Sequence, residues 1–78
     1  MQPEEIKAMI ESSLDTEEVK VQGDGSHFEL YIVSKQFEGL STLKKQQLVY
    51  GVLNEKIADG SIHAVQMKTL TPQEKSQH

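Results

Sequence analysis

Apolar residues recur along this chain with two different periods, and the switches between them mark the elements. Ile6, Met9, Ile10 and Leu14 stand at helical spacing, which predicts an amphipathic helix over about residues 3–14. Pro3 suits the first helical position, and Glu4 and Glu5 fall near the positive end of the helix dipole. Asp15-Thr16-Glu17 reads as the turn out of it. Val19 and Val21 then alternate with Lys20 and Gln22, the mark of a short half-buried strand. Gly23-Asp24-Gly25-Ser26 is a reversal rich in residues that tolerate positive φ, and a second strand follows over about residues 27–34. Successive side chains of a strand point to opposite sides, so Phe28, Leu30 and Ile32 share the expected core face while His27, Glu29, Tyr31 and Val33 share the other.

After a loop over residues 35–40, Ser41 is placed to cap a long helix ending near Ala58. Leu43, Val49, Tyr50, Leu53 and Ile57 fall within roughly one third of its wheel, the expected buried sector, with Lys44 and Lys45 outside it. Asp59-Gly60 stops the helix, and a third strand is expected over about residues 62–70. Thr71-Pro72-Gln73-Glu74 then has the form of a capping box opening a short helix. The order is helix, strand, strand, helix, strand, short helix. The simplest way to bury these faces together is an α+β sandwich of two layers, a three-stranded sheet covered by helices on one face. The first two strands make an antiparallel hairpin, and the third returns beside one of them. With no internal repeat and no dividing linker, residues 1–78 read as a single domain.

Composition narrows the function. A chain of 78 residues has a thin core, so a partner or bound group can matter to its stability. There is no cysteine, hence no disulfide, thiolate ligand or thiol nucleophile. The net charge of -4 removes the overall positive field expected of a phosphate-binding protein. The first residues lack the basic and apolar regions of a signal peptide, and no apolar run approaches the roughly 20 residues of a membrane span. A soluble, cytoplasmic protein without membrane contact is the expectation. No nucleophile motif or phosphate-cradling loop suggests an enzyme.

The residue type that stands out is histidine. His63 lies at the mouth of the third strand in Gly60-Ser61-Ile62-His63-Ala64-Val65-Gln66-Met67, and His27 starts the second strand beside the glycine-rich turn. From the residues alone two readings of His63 stand: a sheet-rim histidine satisfied by a backbone carbonyl, or a metal ligand. His78, at the chain end, is read as uninvolved. Two histidines do not complete a four-ligand site, so a metal bound here needs donors from a partner.

Gly23-Asp24-Gly25-Ser26-His27-Phe28, Phe37-Glu38-Gly39-Leu40-Ser41, Lys44-Lys45-Gln46-Gln47-Leu48-Val49-Tyr50-Gly51, Ile62-His63-Ala64-Val65 and Thr71-Pro72 occur in an order and spacing that resemble the BolA family over nearly the whole chain. The Lys44-Lys45-Gln46-Gln47 cluster is most similar to the bacterial IbaG (YrbA) branch. The resemblance implies a fold similar to class II KH domains and a non-catalytic role beside a monothiol glutaredoxin, in iron-sulfur cluster assembly, trafficking or iron sensing under stress. It further implies a [2Fe-2S] cluster shared with the glutaredoxin cysteine and glutathione, with His63 matching the family's histidine ligand. Some members draw a second ligand from the first hairpin, as a cysteine. This chain has Asp24 there, with His27 a few residues on, so His27 is the second candidate. Free, the protein is expected as a monomer or weak homodimer.

The alternative from another class is a DNA-binding transcriptional regulator using the KH-like fold, with Lys44 and Lys45 as its local basic patch. The GXXG loop that clamps nucleotides in KH domains is absent from Gly23-Asp24-Gly25-Ser26. The same two lysines can instead belong to a glutaredoxin docking surface.

Overall fold

The computed structural model describes residues 1–77, so the reading of His78 lies outside the described residues. The first helix, α1 (Pro3–Ser13), opens as its sequence dictates, with the Gln2 N–H donating to the Glu5 carboxylate at 3.3 Å. It ends at Ser13 because Leu14 turns to extended backbone, where its side chain still reaches the core. The first strand, β1 (Thr16–Asp24), begins three residues before Val19, inside the stretch expected to be a turn. Thr16 pairs with Ser34 and Glu18 with Val33, leaving Glu17 as an extra residue at a register shift. This irregularity hides the alternation from a reading of the sequence.

The second strand, β2 (His27–Ser34), matches its expected bounds and pairs antiparallel with β1. Gly23 faces Phe28 at the tight end of this hairpin. A Cβ there would stand 2.3 Å from the His27 carbonyl oxygen and 2.6 Å from the Phe28 ring, so only glycine lets the strand ends close. The expected loop contains a 3₁₀ turn, Lys35–Phe37, whose Phe37 is fully buried. Ser34, also fully buried, fastens the turn: its hydroxyl donates to the Asp15 carbonyl at 2.7 Å and accepts the Gln36 N–H at 3.1 Å.

The second helix, α2 (Thr42–Ala58), is capped by Ser41, whose hydroxyl accepts the Lys44 N–H at 3.2 Å. Its buried side carries Lys45, Val49 and Leu53. The expected sector is corrected at two positions, since Leu43 is 63% exposed and Tyr50 37% exposed. The helix is rotated so that Lys45 faces inward, an orientation that apolar spacing alone disfavours. Gly60, at φ +86°, turns the chain after α2 in the left-handed region that glycine adopts without a Cβ penalty. The third strand, β3 (Ala64–Leu70), starts two residues later than expected, because Ile62 is drawn into the core at 1% exposure.

The sheet order is β1-β2-β3, with β3 parallel to the central β2 from His27↔Ala64 to Val33↔Leu70. A parallel pair needs a long crossover, and α2 supplies it. Val19, Phe28, Leu30 and Ile32 of the inner face pack with Ile6 and Ile10 of α1, Val49 and Leu53 of α2, and the flanking Val65 and Met67. Each large apolar side chain so buried contributes about 1.5–3 kcal/mol relative to exposure. The two-layer α+β sandwich is therefore as expected. The last helix, α3 (Pro72–Ser76), has the expected capping box: the Thr71 hydroxyl accepts the Glu74 N–H at 3.1 Å and the Glu74 carboxylate accepts the Thr71 N–H at 2.8 Å. It touches β2 and β3, and Lys75 pairs with Glu18. Alternation puts Val33 on the outer face with Glu18, yet Val33 is fully buried, because α3 closes that end of the sheet.

Candidate functional site

Parallel pairing in register brings the starts of β2 and β3 to the same end of the sheet. The Ser26 carbonyl of the β1–β2 turn accepts the His63 N–H at 2.8 Å and the Ala64 N–H at 3.3 Å, stapling the turn to the mouth of β3. On the other side of His63, Ile62 is buried and its N–H donates to the Lys56 carbonyl in the last turn of α2 at 3.1 Å. Asp59 orders the intervening turn by accepting the Ser61 N–H at 2.8 Å, and hydrogen bonding from Ser61 holds its carboxyl below the usual value. The His63 backbone is thus fixed from both directions while its side chain stays outside.

The His27 and His63 rings stand with centroids 6.5 Å apart and planes inclined by 59°. Both residues are exposed, and neither imidazole hydrogen-bonds to another described residue. The His63 Nε2 leans back over Gly60, 3.9 Å from where a Cβ would project. Two imidazoles on one ion, with metal–nitrogen bonds of about 2 Å, hold their ring centroids roughly 5 Å apart. The observed 6.5 Å is wider than that value, so the two rings are neighbours and not a preformed pair on one ion. His27 also lines an outer-face concavity of about 470 Å³ with Gln22, Asp24, Glu29 and Gln66, whereas His63 does not. Among the described residues no three His, Cys, Asp or Glu side chains gather as a metal site. The described residues offer two imidazole side chains here and no closed cage.

The two candidate histidines are therefore brought together, through pairing of β3 with β2. Lys44 is exposed, as a docking residue must be. Lys45 is corrected: it is 6% exposed, with its ammonium 2.8 Å from the Glu74 carboxylate, so it is not available as a partner or nucleic-acid surface. That ammonium, with the Thr71 N–H, brings the Glu74 carboxyl down to about 2. The Lys45–Glu74 link was not visible in the sequence, where the capping box placed Glu74 only at the third position of a helix expected to be short and frayed.

A family model described as BolA-like protein matches residues 1–74. The chain belongs to the BolA family. It is 50% identical over 74 residues to the acid stress protein IbaG of Escherichia coli K12, covering 95% of this chain and 88% of that protein. This supports the IbaG branch indicated by the Lys44–Gln47 stretch. Among solved structures, a bolA protein homologue from Coxiella burnetii superposes with a TM-score of 0.84 at 35% identity, covering 97% of each chain. The BolA domain of SufE1 from Arabidopsis thaliana gives a TM-score of 0.83 at 30% identity, covering 92% of this chain and 93% of that one. No helix among the described residues of this BolA-family chain is long and apolar enough to cross a membrane.

Proposed function

We propose that this chain is a non-catalytic, cytoplasmic adaptor that docks a monothiol glutaredoxin and lends His63 to a [2Fe-2S] cluster held otherwise by the glutaredoxin cysteine and glutathione. It would serve cluster assembly, trafficking or iron sensing. The observation that carries this reading is the pair of exposed imidazoles at the stapled sheet end, with no third ligand beside them among the described residues. Neutral imidazole is a suitable iron ligand, and mixed cysteine and histidine ligation suits a [2Fe-2S] centre. His63 ranks first because its backbone is anchored on both sides, which presents the ring at low ordering cost. His27 ranks second, with its ring centroid 6.5 Å from that of His63. Bound there, the cluster supplies the redox and visible signature, and this chain supplies position and one or two nitrogens.

Lys44 stays on the exposed side of α2 as a docking residue. The DNA-binding alternative has lost one of its two named contacts, Lys45, and keeps the unfavourable charge of -4. The test is to mix the protein with cluster-loaded monothiol glutaredoxin and glutathione and record visible circular dichroism. The wild type should give a spectrum distinct from the glutaredoxin homodimer, His63→Ala should abolish it, and His27→Ala should weaken it less. Spectra that do not change on adding wild-type protein would refute the proposal.

A further inference from the structure

We infer that the exposed face of α2 is a two-fold contact with a second copy of this chain. Leu43, Gln47, Tyr50, Gly51, Asn54 and Ala58 are all exposed, and at 100° per residue they fall in a single sector about 100° wide. No charge interrupts this stripe. It contains both large exposed apolar residues of the described chain, Leu43 and Tyr50.

Gly51 supplies an independent observation. Glycine is a poor residue for a helix interior, yet a Cβ built at Gly51 meets nothing within 4 Å. The chain's own packing gives no reason for its absence. A bare backbone on an exposed helix admits close approach by another molecule.

The stripe is also self-complementary. When two copies of α2 cross antiparallel about the Tyr50–Gly51 peptide, the Tyr50 ring lies over the partner's Gly51, the amides of Gln47 and Asn54 oppose one another, and Leu43 meets Ala58. Such isologous matching is what a two-fold contact requires. Charge agrees with it. Lys44 and Glu55, both exposed, border the stripe on one edge, and the two-fold sets each beside the other's opposite sign, offset by about 3 Å along the axis. Exposed ion pairs add little strength but select orientation. One helix face is a small interface, so the association is weak, with a dissociation constant on the order of 0.1–1 mM.

Sedimentation equilibrium of the full chain, without glutaredoxin, tests this apart from the cluster proposal. The weight-average mass should rise from the 8.8 kDa monomer toward twice that value with concentration. Tyr50→Glu should hold it at the monomer. Gly51→Ala should raise the Tm, through better helix propensity, while weakening the association, which separates a lost interface from a damaged fold. Lys44→Glu should weaken association severalfold, and adding Glu55→Lys should restore it. A chain that stays monomeric, or a dimer indifferent to Tyr50→Glu and Gly51→Ala, overturns the inference. So does a monomer whose α2 amide resonances shift only when glutaredoxin is added.

Discussion

The two ends of the central strand use polar chemistry in opposite ways. Around Ser34, polar groups are bound to one another: the Ser34 hydroxyl to the Asp15 backbone carbonyl, the Lys45 ammonium to the Glu74 carboxylate, and Lys75 to Glu18. Around His27, beside Asp24 and the hydrogen-bonded Gln22–Glu29 pair, two imidazoles remain exposed and without a hydrogen bond to described residues. One end spends its polar groups on closing the domain over a buried phenylalanine. The other fixes the backbone of its histidine-bearing turn, through the Ser26 carbonyl and the Asp59 carboxylate, and leaves the imidazoles outside. The difference separates residues that hold the fold from residues offered to a second molecule.

Substitutions at the closed end should therefore damage stability most. Phe37→Ala empties a fully buried site beside Lys45 and Thr71, and should cost about 3–5 kcal/mol in urea unfolding. In a domain this small that approaches the whole stability. A loss below about 1 kcal/mol would mean the closed end is not tightly packed. Gly23→Ala attacks the backbone of the open end, where the new methyl meets the His27 carbonyl and must displace it. We expect a loss of about 1–3 kcal/mol, with the His27 and His63 ring resonances shifting together; shifts confined to one ring would show that the staple does not couple them.

Acid should loosen the closed end first. The Glu74 carboxyl lies below its usual 4.5, at about 2, held chiefly by the Lys45 ammonium and then by the Thr71 N–H. A depressed carboxylate stabilises the folded state fully above its unfolded value and ceases to do so as pH falls through its folded value. Docking of α3 should thus be intact above about pH 4.5 and fade toward pH 2, read from the Val33 and Leu70 methyl resonances. Glu74→Gln should remove this dependence, and methyl shifts unchanged between those pH values would contradict it. The smallest stability effect belongs to His63→Ala and His27→Ala, each within about 0.5 kcal/mol of wild type. A larger loss would make those rings structural and erase the contrast between the two ends.

Much of the fold could be read in the chain because its signals are local. Pro3, Ser41 and Thr71 start helices where caps should be, Gly60 turns the chain after α2, and the alternation along residues 27–34 faces the core as expected. What escaped depends on contacts distant in sequence. The early start of β1 is hidden by the extra residue Glu17 and by polar side chains on the outer face, one of which meets Lys75. The inward turn of Lys45 depends on Glu74, 29 positions away, which supplies the carboxylate that lets an ammonium be buried. Both candidate ligands were legible as residues. Their approach to 6.5 Å was not, because it follows from the pairing of β3 with β2, which hydrophobic periodicity does not encode.

Nitrogen ligation can be observed directly. The protein labelled with ¹⁵N at histidine, mixed with unlabelled cluster-loaded glutaredoxin and glutathione and then reduced by one electron, should show strong ¹⁵N hyperfine coupling to the [2Fe-2S] centre in pulsed electron paramagnetic resonance. The coupling should vanish with His63→Ala and persist with His27→Ala. A reduced mixed cluster with no ¹⁵N coupling, or one whose coupling survives His63→Ala unchanged, would contradict the assignment of His63 as its ligand.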